Sequence, residues 1–268
     1  MGLTKIQAVF DTTRSEGRPA FMPYWPLGYP DQQTSLRVIE AIIRAGADMV
    51  EVGIPFSDPL ADGPVIQQAC QIALEQGISV RKCMELVKAL RQKGITAPLI
   101  AMGYLNPLMA FGEEAYVNSW QAAGADGFII PDLPPEESAN LQIYCAANDM
   151  ALVQFASPNS TAKRLSLATA YATGFVYVVS VSGVTGARDH LAGGLNDYVD
   201  RVKTYTNGKP VAVGFGISRS EHVREIGKYA DGVIVGAALI RAVGTSPDPA
   251  QAAYDFVQSM VAPLKGQD

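Results

Sequence analysis

The chain has few of the residues that commit a protein to metal, disulfide or polyanion chemistry. It contains two histidines and three cysteines in 268 residues. Cys70, Cys83 and Cys145 are scattered, odd in number and without CxxC spacing, so they read as small buried hydrophobes in a reducing compartment. Neither His190 nor His222 lies near a cysteine or acid at ligand spacing, and no metal site is expected. The net charge is −5 with no Lys/Arg cluster, which argues against a nucleic-acid partner. No apolar run is long enough to span a bilayer. The first twenty residues lack the apolar core of a secretory signal, so a cytoplasmic location, in a prokaryote, is expected. There is no Ser/His/Asp signature, and no lysine at a strand end where a Schiff base would form.

What the chain does have is alternation. Short β-branched runs are expected as strands at 20–24, 48–53, 98–102, 126–130, 151–155, 175–179, 210–214 and 231–235. Most are continuously apolar, as parallel strands covered on both faces must be. Between them the apolar residues recur at helical spacing: Leu36, Ile39 and Ile43; Cys83, Leu86, Val87 and Leu90; Leu195, Tyr198, Val199 and Val202. One joint repeats. Ala45-Gly46-Ala47-Asp48, Ala123-Gly124-Ala125-Asp126 and Tyr229-Ala230-Asp231-Gly232 each end a helix near a small residue and start a strand at an acid. Eight such units favour an α/β fold closed as a (β/α)8 TIM barrel with extra helices. A single domain over residues 1–268 is expected, with residues 1–18 a helical or loop extension packed on the barrel. Asp48, Asp126 and Asp231 would then lie at the bottom face and serve stability.

Barrel chemistry belongs to the loops that follow the strands. Residues 51–64 read EVGIPFSDPLADGP and place Glu51, Asp58 and Asp62 within a dozen positions. Side chains alternate along a strand, so Glu51 points inward if Val50 and Val52 face the helices. No basic residue occurs between Arg44 and Arg81 to pair with it locally, which favours acid–base work over a structural ion pair. Asp62 reads as a turn or helix-cap residue alone and as a second catalytic group beside Glu51; Asp58, before Pro59, reads as a turn. The loop after the sixth strand, rich in glycine and small hydroxyl residues, suits a lid over substrate. After the seventh and eighth strands, Gly214-Phe215-Gly216-Ile217-Ser218 and Gly236-Ala237-Ala238 precede helices, where barrels hold phosphate on backbone N–H groups. The first of these helices is expected to begin near Ser218, with Glu221 at capping-box spacing. Tyr104-Leu105-Asn106-Pro107 and Pro131-Asp132-Leu133-Pro134 lie at the same rim and are also good turn sequences. Ser157-Pro158-Asn159-Ser160-Thr161 reads as a helix cap.

These segments together resemble the tryptophan synthase α subunit family. The resemblance is carried by EVGIPFSDPLADGP, by PDLPPEES at 131–138, by SGVTGA at 182–187 and by GFGIS at 214–218, in order along nearly the whole chain. It implies a (β/α)8 lyase that cleaves indole-3-glycerol phosphate reversibly into indole and glyceraldehyde 3-phosphate. It implies Glu51 and Asp62 as the catalytic pair, Thr185 on the lid, Tyr177 and Tyr104 near the substrate, and phosphate at Gly186, Gly216, Gly236 and Ala237. It further implies no cofactor in this chain and a pyridoxal-phosphate β subunit as partner, in an αββα tetramer. The chain departs from the family after strand 1, with Leu27-Gly28-Tyr29-Pro30-Asp31 in place of glycine-aspartate-proline. It departs again at Ala237, where a serine is common. A standalone lyase releasing free indole, a metal-assisted phosphosugar isomerase or epimerase, and a non-catalytic barrel that activates a β subunit are the competing readings. The paired carboxylates disfavour the last two.

Overall fold

The computed structural model describes residues 2–179, 194–214, 216–244 and 246–264. Eight parallel strands close into a barrel in sequence order: β1 (Ala20–Pro26), β2 (Val50–Gly53), β3 (Leu99–Met102), β4 (Gly127–Ile129), β5 (Ala151–Ala156), β6 (Val176–Val179), β7 (Val211–Gly214) and β8 (Gly232–Val235). Twelve α-helices accompany them among the described residues. Nearly every strand residue is buried, because the outer face of the barrel lies under helices and the inner face is filled by side chains. Each expected strand is present. β1 runs two residues further than the apolar run suggested, since Trp25 and Pro26 pair with Val52 and Gly53.

Six strands start one or two residues later than expected, and three of these shifts leave an aspartate outside its strand. Asp48, Asp126 and Asp231 stand just before β2, β4 and β8, not within them. Each makes the same reciprocal staple to the neighbouring strand. The Asp48 N–H donates to the Phe21 carbonyl at 3.0 Å while its carboxylate accepts the Phe21 N–H at 2.8 Å. Asp126 repeats this with Leu99 at 2.9 and 2.9 Å, and Asp231 with Val211 at 2.8 and 2.9 Å. The carboxylate turns back to reach an N–H at the beginning of the adjacent strand, so the aspartate leaves the pleat.

Cations complete each staple. Arg18 grips Asp48 through both terminal nitrogens at 2.8 Å. Asp126, with its side chain 3% exposed, receives Lys5 at 3.0 Å and a short contact from Arg91. Asp231 lies 3.4 Å from Lys203 and 3.9 Å from Arg14. Lys5 and Arg14 belong to the helix Gly2–Ser15, whose Phe10 ring lies 5.8 Å from Phe175. That helix therefore covers the bottom of the barrel. Cys70, Cys83 and Cys145 are free and buried, as the composition suggested.

Of the three aspartates Asp126 has the least exposed carboxylate and bonds two cations and a strand N–H. Asp126→Asn removes the charge that Lys5 and Arg91 oppose while keeping an acceptor for Leu99. We expect it to lower unfolding stability by about 3 kcal/mol, read as a fall in the urea midpoint at unchanged slope. A loss below about 0.5 kcal/mol would remove the ion pairs of Asp126 from any structural role.

Candidate active site

A cavity opens at the C-terminal ends of the strands. Tyr24, Glu51, Met102, Tyr177 and Ile234 line it from β1, β2, β3, β6 and β8. Tyr24 and Glu51 are register partners and so face the same side of the sheet. Asp62 and Ile66 enter from the connection and helix after β2, and Gly216, Ser218, Gly236, Ala237 and Arg241 from the segments after β7 and β8. The two tyrosines fit because their neighbours have no side chain. A Cβ on Gly53 would lie 2.2 Å from the Tyr24 hydroxyl, and one on Gly214 would lie 2.1 Å from that of Tyr177.

Glu51 is 4% exposed, and among the described residues nothing donates a hydrogen bond to its Oε2. Burial pushes its carboxyl up to about 8, and the nearby Asp62 charge adds to the rise. The carboxyl is therefore protonated at neutral pH, the state of a general acid.

Asp62 is also buried, but it is served differently. The Tyr104 hydroxyl donates to its Oδ2 at 2.9 Å and accepts the Ala61 N–H at 3.2 Å. Burial raises Asp62 to about 6 while the Tyr104 bond works in the opposite direction. At neutral pH this leaves one neutral acid and one carboxylate in the same cavity, pushed apart by their surroundings. The helix Pro64–Glu75 is capped by Gly63, so Asp62 is not its N-cap.

The remaining expectations sort themselves by contact. Tyr177 lines the cavity with its ring 4.8 Å from Phe155, and burial holds its hydroxyl well above the ordinary tyrosine value. Tyr104 enters the site through Asp62. Gly216, Gly236 and Ala237 line the same cavity, whereas Thr185 and Gly186 lie outside the described residues. Asp58 is an exposed turn residue bonded by the Ser57 hydroxyl at 2.6 Å. Asp132 accepts the Leu105 N–H at 2.9 Å, which ties the loop after β4 to the helix Leu105–Phe111. Thr161 caps the helix Ala162–Tyr171.

One boundary differs from expectation. The helix after β7 is Ser220–Gly227 with Arg219 at its N-cap and no side-chain cap, so Ser218 and Glu221 form no capping box. The Ser218 N–H instead faces His222 Nδ1 at 3.4 Å, which keeps residues 216–218 against the cavity.

Tyr24, Ile66 and Met102 were not singled out by sequence, although Tyr24 and Met102 stand at strand ends where alternation turns them inward. The Tyr24 hydroxyl lies 3.8 Å from Cys70 Sγ, in a pocket whose burial pushes that thiol up to about 12. Among the described residues no three His, Cys, Asp or Glu side chains gather as a cation site.

The family model described as tryptophan synthase alpha chain matches residues 10–266. The tryptophan synthase alpha chain of Roseiflexus sp. (strain RS-1) is 44% identical over 96% of this chain and 99% of its own. That of Chloroflexus aurantiacus is 48% identical over 89% of each. Among solved structures, tryptophan synthase of Mycobacterium tuberculosis superposes with a TM-score of 0.90 at 34% identity, covering 97% of this chain and 98% of the other. The chain belongs to the tryptophan synthase alpha chain family.

The environment of Glu51 has a cost that can be measured without substrate. Its ordinary value is 4.5 and its folded value about 8, so between these the folded state holds a proton that the unfolded chain has released. Stability falls as pH rises through that window and stays low above it. Glu51→Gln removes the titration. At about pH 8.5 it should unfold on the order of a few kcal/mol later than the unsubstituted protein, shrinking to about 1 kcal/mol or less near pH 5. Equal pH dependence in urea unfolding of the two proteins would show that Glu51 titrates normally.

Proposed function

We propose that Glu51 and Asp62 carry the reaction of this tryptophan synthase alpha chain, with Glu51 as the proton-transfer group and Asp62 as the ionised partner of the indole N–H. The enzyme is a lyase of the tryptophan pathway, cleaving indole-3-glycerol phosphate reversibly to indole and glyceraldehyde 3-phosphate. One observation carries the residue assignment. A buried Glu51, whose Oε2 meets no hydrogen-bond donor among the described residues, and a Tyr104-bound Asp62 share a cavity that Gly216, Gly236 and Ala237 also line.

The chemistry requires a proton at indole C3, cleavage of the C3–C3′ bond, and loss of the C3′ hydroxyl proton as the aldehyde forms. Glu51, neutral at the start, gives its proton to C3 and produces an indoleninium. Its carboxylate then takes the C3′ hydroxyl proton as the bond breaks, so the residue ends protonated and the balance closes. Positive charge develops on the ring nitrogen in between. Asp62, ionised and held by Tyr104, accepts the N1–H and stabilises that charge in a site with few competing dipoles. Tyr24, Met102, Tyr177, Ile66 and Ile234 offer apolar walls to the indole ring. Backbone N–H groups at Gly216, Gly236 and Ala237 serve the phosphate. The motif at 182–187 assigns Thr185 to a lid over Asp62 and Gly186 to the phosphate.

The partner is a tryptophan synthase β subunit, and an αββα assembly follows from the family. Leu60, on the connection after β2, is 90% exposed and Met109, on the helix after β3, is 55% exposed. Both stand on elements that follow strands at the catalytic rim, where a second subunit would cover them. Among the described residues no helix is long and apolar enough to cross a membrane, and the free thiols suit a reducing cytoplasm.

Indole release from indole-3-glycerol phosphate, measured with and without a β subunit, tests the reading. Glu51→Gln should lose about 10³-fold or more in kcat, and Asp62→Asn about 10²-fold, with binding of glycerol phosphate retained. The cleavage rate should rise as Asp62 ionises near 6 and fall as Glu51 loses its proton near 8. Wild-type turnover in Glu51→Gln would sink the acid–base role. Leu60→Glu should weaken association with the β subunit about tenfold or more in titration calorimetry while isolated lyase activity holds; unchanged affinity moves the docking surface elsewhere.

A further inference from the structure

A phosphorylated substrate brings two negative charges into a cavity that already holds Glu51 and Asp62. Glycine and alanine N–H groups orient a phosphate but carry no net charge. Among the described residues lining this cavity, one side chain is basic: Arg241. It lies four residues after Ala237 in the helix Ala237–Val243, and therefore on the same face one turn along. Helical side chains lean toward the N-terminus of their own helix, so the Arg241 side chain reaches back over Ala237 and Gly236. Ala237 has no hydroxyl to offer a ligand, and the Ser218 N–H is turned to His222.

Among the described residues the guanidinium is also uncommitted. Arg18 and Arg91, at the barrel bottom, are tied to Asp48 and Asp126. No carboxylate or hydrogen-bond acceptor among the described residues holds Arg241. An arginine beside a cavity wall of small residues, with five donors and no acid partner, is built to take an external oxyanion.

We propose that Arg241 is a phosphate-binding, specificity-determining residue of this enzyme. Its guanidinium takes the substrate phosphate across Ala237, selecting the phosphorylated substrate over its dephosphorylated form. The proposal rests on reading the wall of Gly216, Gly236 and Ala237 as the phosphate end. Because Arg241 is exposed, its contribution is moderate and falls on binding more than on bond cleavage.

The test is steady-state cleavage of indole-3-glycerol phosphate by the full chain with its β subunit, comparing Arg241→Gln, Arg241→Lys and Gly236→Val. Arg241→Gln should raise KM about tenfold with kcat within about threefold, and weaken inhibition by inorganic phosphate about tenfold. Its phosphate inhibition should depend less on salt. Arg241→Lys should recover part of the loss, because charge returns without the planar fork. Inhibition by indole, which probes only the apolar end, should stay unchanged in both. If Arg241→Gln keeps wild-type KM and phosphate inhibition while Gly236→Val loses both, the phosphate end is correctly placed and the Arg241 proposal is overturned. If neither variant alters phosphate inhibition, the placement of the phosphate end fails and Arg241 falls with it. A lower kcat at unchanged KM, or loss of indole inhibition in Arg241→Gln, would assign Arg241 a structural role and also overturn the proposal.

Discussion

The site depends on one constraint: a carboxyl group buried on a barrel strand with no cation among the described residues paired to it. Water would stabilise an ionised Glu51 far better than the mixture of apolar side chains around it. Burial therefore forces the proton to stay, and Asp62 nearby enforces the same outcome. The acid form that the proposed protonation of carbon needs is thus set by exclusion rather than by a dedicated partner. The pocket keeps that arrangement rigid. Tyr24 and Tyr177 occupy space that any side chain at Gly53 or Gly214 would take, so the glycines fix the walls around the acid.

The opposite end of the same barrel uses the same residue types to the opposite effect. Asp48, Asp126 and Asp231 each meet a strand N–H and at least one cation, so their charge is satisfied and their work is structural. Basic residues of the helix Gly2–Ser15, together with Arg18, Arg91 and Lys203, are concentrated there. The top end, where Glu51 and Asp62 lie, receives none of them. This division answers how one fold holds aspartates as clamps and carboxylates as proposed catalysts: partner supply, not residue identity, separates the two. It also explains why a costly residue is tolerated. Stapled strand starts and a closed apolar core contribute enough stability to offset a strained acid at the mouth.

The division was partly visible in the sequence. Periodicity located all eight strands, because burial on both faces leaves a continuous apolar run that helices do not mimic. The αβ joints located the lower aspartates, and the lack of a basic residue near Glu51 anticipated its isolation. Four things were not legible. That the aspartates stand outside their strands depends on a side chain folding back to a neighbouring N–H, a tertiary contact with no local signature. The tie between Asp62 and Tyr104 joins residues 42 positions apart. Helix capping after β7 failed for a similar reason: the Ser218 amide is oriented by His222 and the cavity wall, overriding the local capping pattern. Arg241 was hidden because an arginine in a helix ordinarily reads as a solvated face. Only the closure of β8 against β1 brings that turn of helix to the barrel mouth.

In the proposed binding mode, charge is graded across one cavity. Toward the ring stand a neutral acid and an anion, and toward the phosphate uncharged amides and, among the described lining residues, a single guanidinium. A substrate with an electron-rich ring at one end and a phosphate at the other has only one favourable orientation in that field. Reversal would set the phosphate against Asp62 and leave the guanidinium facing a hydrocarbon ring. Because the penalty for reversal is electrostatic, it acts before the ring is fully seated and guides entry as well as final position. In that binding mode the ring is held where the developing cation would meet Asp62, while the phosphate stays with the backbone N–H groups. Binding energy collected at the phosphate would thereby fix C3 beside the proton that the proposed reaction takes from Glu51, linking the two parts of the cavity in one act of positioning.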